Sequence, residues 1–471
     1  MSRASRRRFL AALGSASFAA ALDLGPRAAR AMGRTPQGGR VTLHVPWPMT
    51  SIDPHDLADP AAALFAAAFA DPLYGTDPTT SAPYPSLASL PTREGAATVV
   101  RLREGLRTAR GAPLDARDLC ASVERARARG AAALLASTPR PTPRRGDLLV
   151  AEFGDADPTQ LARALASPLA ALLPRAFDPG APDGTGAFRA DITAGGLALT
   201  RNLNAARGAA FLDAIDVAPA LDLKTSLREF EAEHDDIGWL GMGLHDGRKG
   251  AVRFDLGRAA WVVLVTSAEA GAFGLPGVAQ RLVDAIPPER LVPLGLGASP
   301  LAGAPSSPGR ASTSTPALPS DASWGGAPTE LLVDAASPHL VEIARGLATL
   351  LSRPGHEVTA APVPRPEIAR RRARGKAPLA IELVRALGSS PLQALLSLAS
   401  AEDLARARDI ARSPPRLAPG TPARALTGTL RVGVLGEVRI EGGAAPDIVF
   451  VRQPSGEGWD LGATYRKPPH R

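Results

Sequence analysis

The sequence predicts a mixed α/β fold. Apolar and polar residues alternate within Phe188–Leu199 around the turn Ala194–Gly196, a pattern typical of a β-hairpin. In the second half, His339–Leu351 carries its large apolar residues on one helical face, between the apolar segments Leu331–Val333 and Val358. This strand–helix–strand order is typical of α/β proteins, and 45% hydrophobic with 21% charged residues is typical of a folded chain.

Length and charge limit the remaining possibilities. The chain has 471 residues, enough for two to four domain-sized units, and a formal net charge of +8. Residues 1–31 hold six arginines against one aspartate, so they account for +5 and leave +3 on the rest. Arg365–Lys376 carries much of that remainder, but no aromatic residues interleave with it. A solvated helix face is therefore favoured over a nucleic-acid patch, and no nucleic-acid partner is expected.

The N-terminus matches a twin-arginine export signal. Ser5–Leu10 has the pattern of a serine, two arginines, any residue and then Phe-Leu, and the apolar stretch Leu10–Leu22 follows it. Ala29–Ala31 offers a small-x-small cleavage site, so residues 1–31 are expected to be a signal peptide. The apolar stretch is too short to span a bilayer, which predicts a soluble exported protein.

The chain then continues as alternating strands and helices. Strands are predicted at Val41–Val45 and Val99–Arg103, a helix at Ala61–Ala70, and a second helix after its cap Asp115. That helix holds Cys120, the only cysteine, so an intrachain disulfide is excluded. The default role of Cys120 is that of a small buried side chain. To act as a thiol nucleophile it would need a histidine brought close by folding.

No motif makes a case for catalysis or for a metal. The Gly-Thr-Gly triplet in Asp183–Arg189 lacks a following Gly-Lys-Ser/Thr and precedes a strand, so a hairpin turn is favoured over a phosphate loop. The acidic segment Glu229–Asp236 does not converge on one helical face, which favours a solvated helix end over a metal site. We expect no enzyme activity, no metal and no cofactor.

Five segments together resemble one known family. They are Ile52-Asp53-Pro54-His55, Leu102–Leu106, Gly111–Leu119, Gly184–Phe188 and Arg201–Ile215. They resemble motifs of the bacterial extracytoplasmic solute-binding proteins of family 5, which include the oligopeptide-, dipeptide- and nickel-binding receptors of ABC importers. Ala187 stands where this family usually has proline.

The resemblance implies a two-lobe periplasmic binding protein type II fold with an extra subdomain inserted in the first lobe. It implies a periplasmic receptor that captures a peptide or another small solute in the cleft between lobes, as a monomer, and passes it to an ABC permease in the membrane. The expected division is residues 40–71, 183–255 and 442–471 for lobe I, 72–182 for the inserted subdomain and 256–441 for lobe II.

The same resemblance places ligand-binding residues in the turn Ile52-Asp53-Pro54-His55 and at Trp239 and Trp261. Local turn and cap roles compete for Asp53 and His55, and ordinary core positions compete for the two tryptophans.

One departure bears on the ligand and on function. Many relatives have an aspartate for a peptide's amino group where this chain has Leu387–Leu392, so peptide binding in the usual manner is not expected. A degenerate member, acting as a ligand sensor or scaffold for a membrane partner without transport, is the alternative function. An exported hydrolase has little support.

Overall fold

A computed structural model describes residues 37–45, 49–77, 80, 82–220, 223–238, 248–291, 294, 296, 329–387, 391–418, 420–453 and 458–468. The predicted signal peptide and the Pro-, Ser- and Gly-rich stretch 305–328 lie outside these residues. The predictions for those two segments therefore stay predictions.

The described chain alternates strands and helices. The strands are β1 (Arg40–Val45), β2 (Tyr74–Thr76), β3 (Pro83–Pro85), β4 (Thr92–Glu94), β5 (Ala97–Arg101), β6 (Thr142–Pro143), β7 (Val150–Glu152), β8 (Phe188–Thr193), β9 (Gly196–Arg201), β10 (Ala214–Pro219), β11 (Val252–Thr266), β12 (Thr329–Asp334), β13 (Val358–Val363), β14 (Leu379–Arg385), β15 (Val432–Ala444), β16 (Ile448–Val449) and β17 (Tyr465–Arg466). The helices are α1 (Pro60–Phe69), α2 (Ala116–Arg127), α3 (Pro158–Leu165), α4 (Leu223–Glu231), α5 (Val278–Asp284), α6 (Pro288–Leu291), α7 (Pro338–Leu351), α8 (Arg365–Ala373), α9 (Pro391–Glu402), α10 (Leu404–Arg412) and α11 (Ala423–Leu426).

The first-lobe sheet has the strand order β1-β10-β9-β8. Strands β8 and β9 form the predicted hairpin, with Phe188 opposite Arg201 and Thr193 opposite Gly196. Gly196 has a φ of +123°, and a Cβ there would lie 2.1 Å from the carbonyl oxygen of Val217 on β10. The turn therefore requires glycine, both for its backbone conformation and for its close approach to the next strand.

A subdomain follows α1 in the chain and packs beside the first lobe. Its main sheet has the order β4-β5-β7-β6, and α2 contacts β6 and β7. The predicted cap Asp115 accepts hydrogen bonds from the amides of Arg117 and Asp118, and the Asp118 carboxylate accepts one from the amide of Asp115. This reciprocal capping starts α2 where the sequence predicts it.

The second-lobe sheet has the strand order β13-β12-β14-β11-β15. Helix α7 connects β12 to β13, which pair in parallel from Thr329 opposite Val358 to Asp334 opposite Val363. The strand–helix–strand unit predicted around His339–Leu351 is therefore confirmed. From Ala259 onward, strand β11 is buried on both faces, which explains why its sequence from Ala259 to Val265 is continuously apolar.

Two long strands run from one lobe to the other. Strands β11 and β15 pair antiparallel from Val252 opposite Ala444 to Val265 opposite Val432. Their register shifts between Asp255 and Arg258, where Gly257 has a φ of +94°. Ile237 bridges β1 at Leu43 and β15 at Ala444, so the long pair continues the first-lobe sheet at one end and the second-lobe sheet at the other.

The C-terminal segment packs into the same core as β1. Ile448, Trp459 and Leu461 belong to the same buried cluster as Val41 and Leu43 of β1. Trp459 is fully buried, and its indole N–H donates a hydrogen bond of 2.7 Å to Thr464 Oγ1.

The acidic segment Glu229–Asp236 corrects one sequence prediction. Residues 231–234 are exposed, but Asp235 is buried and its carboxylate lies 2.7 Å from His44 Nδ1. The Asp236 carboxylate binds Arg466. A solvated helix end is therefore wrong for the last two residues, because the chain leaving α4 passes along β1 and pairs with groups there.

Candidate functional site

The segment Ile52–Asp59, here called the junction turn, links β1 to α1 and lies where the two lobes meet. Ile52 lies in the same buried cluster as β1, and hydrogen bonds fasten the turn to the inserted subdomain. The Ile52 amide donates to the carbonyl of Pro179 at 2.9 Å, and the Gly130 amide donates to the carbonyl of His55 at 2.9 Å. The junction turn therefore belongs to the first-lobe side of the interface.

Asp53 is held inside this turn by two arginines. Both of its carboxylate oxygens bind the Arg125 guanidinium, at 2.7 and 2.8 Å, and Oδ2 also binds Arg129 at 2.7 Å. Oδ1 accepts a further bond of 3.0 Å from the His55 amide. Burial alone would raise the pKa of Asp53, but the hydrogen bonds and charge of Arg125 outweigh it and hold the pKa below its ordinary value.

His55 is fully buried and neutral. Its Nε2 donates to the carbonyl of Ala171 at 2.9 Å, while Nδ1 has no partner among the described residues. Burial is the main cause that lowers the pKa of His55 to about 4, and the charges of Arg125 and Arg129 lower it further. The ring therefore presents an acceptor lone pair at Nδ1.

The junction turn also contacts the second lobe, through two arginines. Arg365, the first residue of α8, makes a bidentate pair with Asp56, with both N–O distances at 2.8 Å. Arg385, at the end of β14, is buried and donates from Nη1 to the carbonyls of Pro54 at 2.8 Å and Asp56 at 3.1 Å. Five polar contacts, including the amide of Arg385 to the carbonyl of Leu57, thus cross from second lobe to first.

Trp261 lies on β11, beside the same interface. It pairs with Val384 of β14, and its side chain is fully buried in a cluster that also contains Leu57 of the junction turn and Leu119 of the inserted subdomain. The Arg258 guanidinium lies 5.0 Å from the ring centroid. The indole N–H has no partner among the described residues, which is uncommon for a buried tryptophan.

Four of the five predicted ligand residues therefore lie at the lobe junction, and all four are buried: Ile52, Asp53, His55 and Trp261. Trp239 lies outside the described residues, as does the segment 388–390, where the acidic residue of many relatives is absent. The structure brings the turn and Trp261 into one region, but it gives Asp53 arginine partners within the protein.

Sequence reasoning missed the arginines that organise this region. Arg125 lies in the last turn of α2 and Arg129 lies two residues beyond its end, while Arg365 begins the basic run that was assigned to solvent. An i, i+4 pair of arginines on a predicted helix is a signal for a carboxylate partner, but it does not say which carboxylate.

No metal or nucleophile stands out in the part of the chain that the structure describes. There, no group of three or more His, Cys, Asp or Glu side chains could hold a metal ion. Cys120 is half-buried on α2, and burial together with Asp115 and Glu124 raises the pKa of its thiol to about 11. A thiol with this pKa is protonated at neutral pH and is a poor nucleophile.

Comparison with solved structures identifies the fold. The ABC transporter-associated periplasmic binding protein DppA from Helicobacter pylori, in complex with the peptide STSA, has 15% identity and a TM-score of 0.67, over 93% of this chain and 100% of that chain. The murein tripeptide binding protein MppA from Escherichia coli has 14% identity and a TM-score of 0.67, over 92% and 99%. NikA from Brucella suis, in complex with Fe(III)-EDTA, has 15% identity and a TM-score of 0.62, over 91% and 100%.

These likenesses show that the chain has the two-lobe periplasmic binding protein fold, with the inserted subdomain, over 91–93% of its length. The fold predicted from the motifs is confirmed. Comparison with protein-family models and with curated proteins finds no match. Among the described residues, no helix is both long and apolar enough to cross a membrane.

Proposed function

We propose that this protein is an exported receptor of family 5 that captures a peptide-like or other small solute between its lobes and delivers it to an ABC permease. One observation carries the proposal: the likeness to solute-binding proteins spans nearly the whole of both chains, so both lobes and the inserted subdomain are present. Two lobes joined by the long strands β11 and β15 are the architecture that closes on a ligand.

The ligand site proposed here lies at the lobe junction and includes Ile52, Asp53, His55, Trp239 and Trp261. Two buried ring nitrogens support it, because His55 Nδ1 and Trp261 Nε1 have no partner among the described residues. One is an acceptor and the other a donor, and a solute with amide-like groups would satisfy both. Asp53 then acts indirectly, by holding the turn that presents His55.

The remaining features of the receptor are part of the same proposal. Residues 1–31 would direct twin-arginine export to the periplasm, and the monomer would have the lobe boundaries given above. The boundary at residues 255 and 256 falls beside the irregular register near Gly257, and we place the hinge between the lobes there. No step of catalysis is assigned.

Native mass spectrometry of the exported protein tests this function. A tightly held solute should appear as a discrete added mass that disappears after unfolding and refolding. Returning that solute to the stripped protein should restore the mass and change the tryptophan fluorescence. The proposal fails if neither co-purified solutes nor a library of peptides and small solutes binds the stripped protein.

A second function, a ligand sensor or scaffold without transport, is favoured by one observation. The carboxylates of the junction turn already have partners within the protein, including Asp53 with Arg125 and Asp56 with Arg365. A protein that joins its lobes without a solute could present one fixed surface to a membrane partner. Cross-linking to a membrane protein other than an ABC permease, with no solute bound, would select this alternative.

A further inference from the structure

We propose that Asp56 and Arg365 form an electrostatic clasp that holds the two lobes closed before any solute binds. Their bidentate pair joins residues 309 positions apart, one on each side of the cleft. Parallel N–H···O bonds between a guanidinium and a carboxylate are geometrically specific and stronger than neutral hydrogen bonds. The clasp depends on the two-lobe fold but not on the identity of a solute or on transport.

Each half of the clasp is fixed within its own lobe. On the first-lobe side, Asp56 Oδ1 also accepts a bond of 2.9 Å from the Ala58 amide, and its neighbour His55 is bound on both its carbonyl and its ring. Asp56 is therefore already positioned when Arg365 meets it, and little conformational entropy is lost.

On the second-lobe side, α8 is fixed by the other arginines of the basic run. Arg371 binds Glu330 of β12 at 2.6 Å, and Arg372 binds Glu382 of β14 at 2.5 Å. The arginines of the basic run thus have two roles. Its interior arginines fasten the helix to the second-lobe sheet, and Arg365 reaches across to the first lobe.

Arg365 and Arg385 reach the same residue of the junction turn from different elements of the second lobe. Arg385 lies opposite Ala260 of β11, and its side chain donates to the Asp56 carbonyl. Arg365 begins α8, which packs on β12, and its side chain binds the Asp56 carboxylate. Opening of the cleft must break this pair, because its two residues belong to different lobes.

Because of the clasp, we expect closure of the lobes to be partly independent of ligand and sensitive to salt. Arg365 and Asp56 are each partly exposed, so mobile ions weaken their attraction, whereas the bonds of buried Arg385 are shielded. The apparent affinity for a solute is reduced by the fraction of molecules that are open, so a receptor that is already closed in its free state binds more tightly. Entry of the solute then requires the clasp to release.

Small-angle X-ray scattering of the full chain, stripped of solute, tests the clasp. Asp56→Asn keeps the oxygen that accepts from Ala58 and removes only the charge, and Arg365→Gln removes the other charge. Both variants should shift to a larger radius of gyration at low salt, and the exchange Asp56→Arg with Arg365→Asp should recover most of that shift. Glu330→Gln is the matched control. It removes the carboxylate partner of Arg371 on the same helix, but that pair lies within the second lobe, so this variant should scatter like the parent.

Salt provides a second readout on the same proteins. Raising the salt to about 1 M should shift the parent toward the two single variants and leave those variants unchanged. Equal radii for the parent, Asp56→Asn and Arg365→Gln would overturn the clasp. An equal shift in Glu330→Gln would overturn it too, because the effect would then follow from the lost charge rather than from the contact across the cleft.

Discussion

Two buried tryptophans show how the first-lobe core differs from the lobe junction. Trp459 lies in the first-lobe core, and its indole N–H binds Thr464 Oγ1. Trp261 is equally buried at the junction, yet its indole N–H has no partner among the described residues. Leaving a buried donor unpaired costs about 1–3 kcal/mol, so a position that retains one is a candidate for a role outside stability.

The same contrast separates Asp53 from His55 within the junction turn. Every carboxylate oxygen of Asp53 is paired, whereas His55 keeps one ring nitrogen without a partner. We infer that Asp53 fixes the turn in place, whereas the free ring nitrogen of His55 is available to a solute. Mutations should therefore divide into those that change folding stability and those that change solute binding.

The largest expected effect is on the pH dependence of folding, through His55. Its pKa is about 4 in the folded protein and about 6.5 when unfolded, so the unfolded state binds the extra proton between these values. The stability that neutral His55 contributes is fully present above pH 6.5, and about 3 kcal/mol of it is lost as the pH falls to 4.

Urea unfolding of the parent and of His55→Gln at several pH values measures this loss of stability. Glutamine can still donate to the Ala171 carbonyl but does not titrate, so the variant should lose less stability between pH 7 and pH 4. His339, whose pKa burial also lowers, is present in both proteins and cancels. Parallel pH profiles would contradict a neutral, buried His55.

The next effect is on folding stability, through Asp53. Asp53→Asn should lower the free energy of unfolding by about 2 kcal/mol, less than for a fully buried ion pair because Arg129 is half exposed and can rehydrate. Asp216→Asn, which breaks an exposed pair with Arg40, should change it by less than about 1 kcal/mol. Equal losses in both variants would mean that Asp53 does not fasten the turn.

The smallest expected effect is on solute binding, through the tryptophans. Trp261→Phe removes the unpaired N–H together with part of the buried indole ring, so some stability is also lost through the vacated volume. Affinity for a co-purified solute should fall about tenfold, the usual contribution of one buried hydrogen bond. Isothermal titration of the stripped protein measures the change.

Trp459→Phe is the matched control for that experiment. It removes an N–H whose partner lies in the first-lobe core, so it should lower stability and leave affinity unchanged. The comparison between core and junction breaks down if the two substitutions reverse these effects, or if Trp261→Phe binds the solute as tightly as the parent.

Sequence predicted local structure well where the pattern depends on near neighbours. The hairpin Phe188–Arg201, the capped helix after Asp115 and the unit around α7 all follow from alternation, capping or helical periodicity. Only the apolar part of β11 has a strand-like sequence, because the half that crosses to the first lobe is more polar and contains Gly257.

The site was less predictable, because its partners are distant in the sequence. Arg125 and Arg129 lie 72 and 76 positions from Asp53, and Arg365 lies 309 positions from Asp56. A motif can indicate that a turn matters, but only the fold shows which charges meet there. The same reason explains the error at Asp235, whose partner His44 is 191 positions away.

A structure of the solute-loaded protein shows directly whether the lobe junction binds the solute. We predict a solute between the lobes, with an acceptor atom about 3 Å from Trp261 Nε1 and a donor within the same distance of His55 Nδ1. A solute bound on another surface, with both ring nitrogens still buried and unpaired, would contradict it.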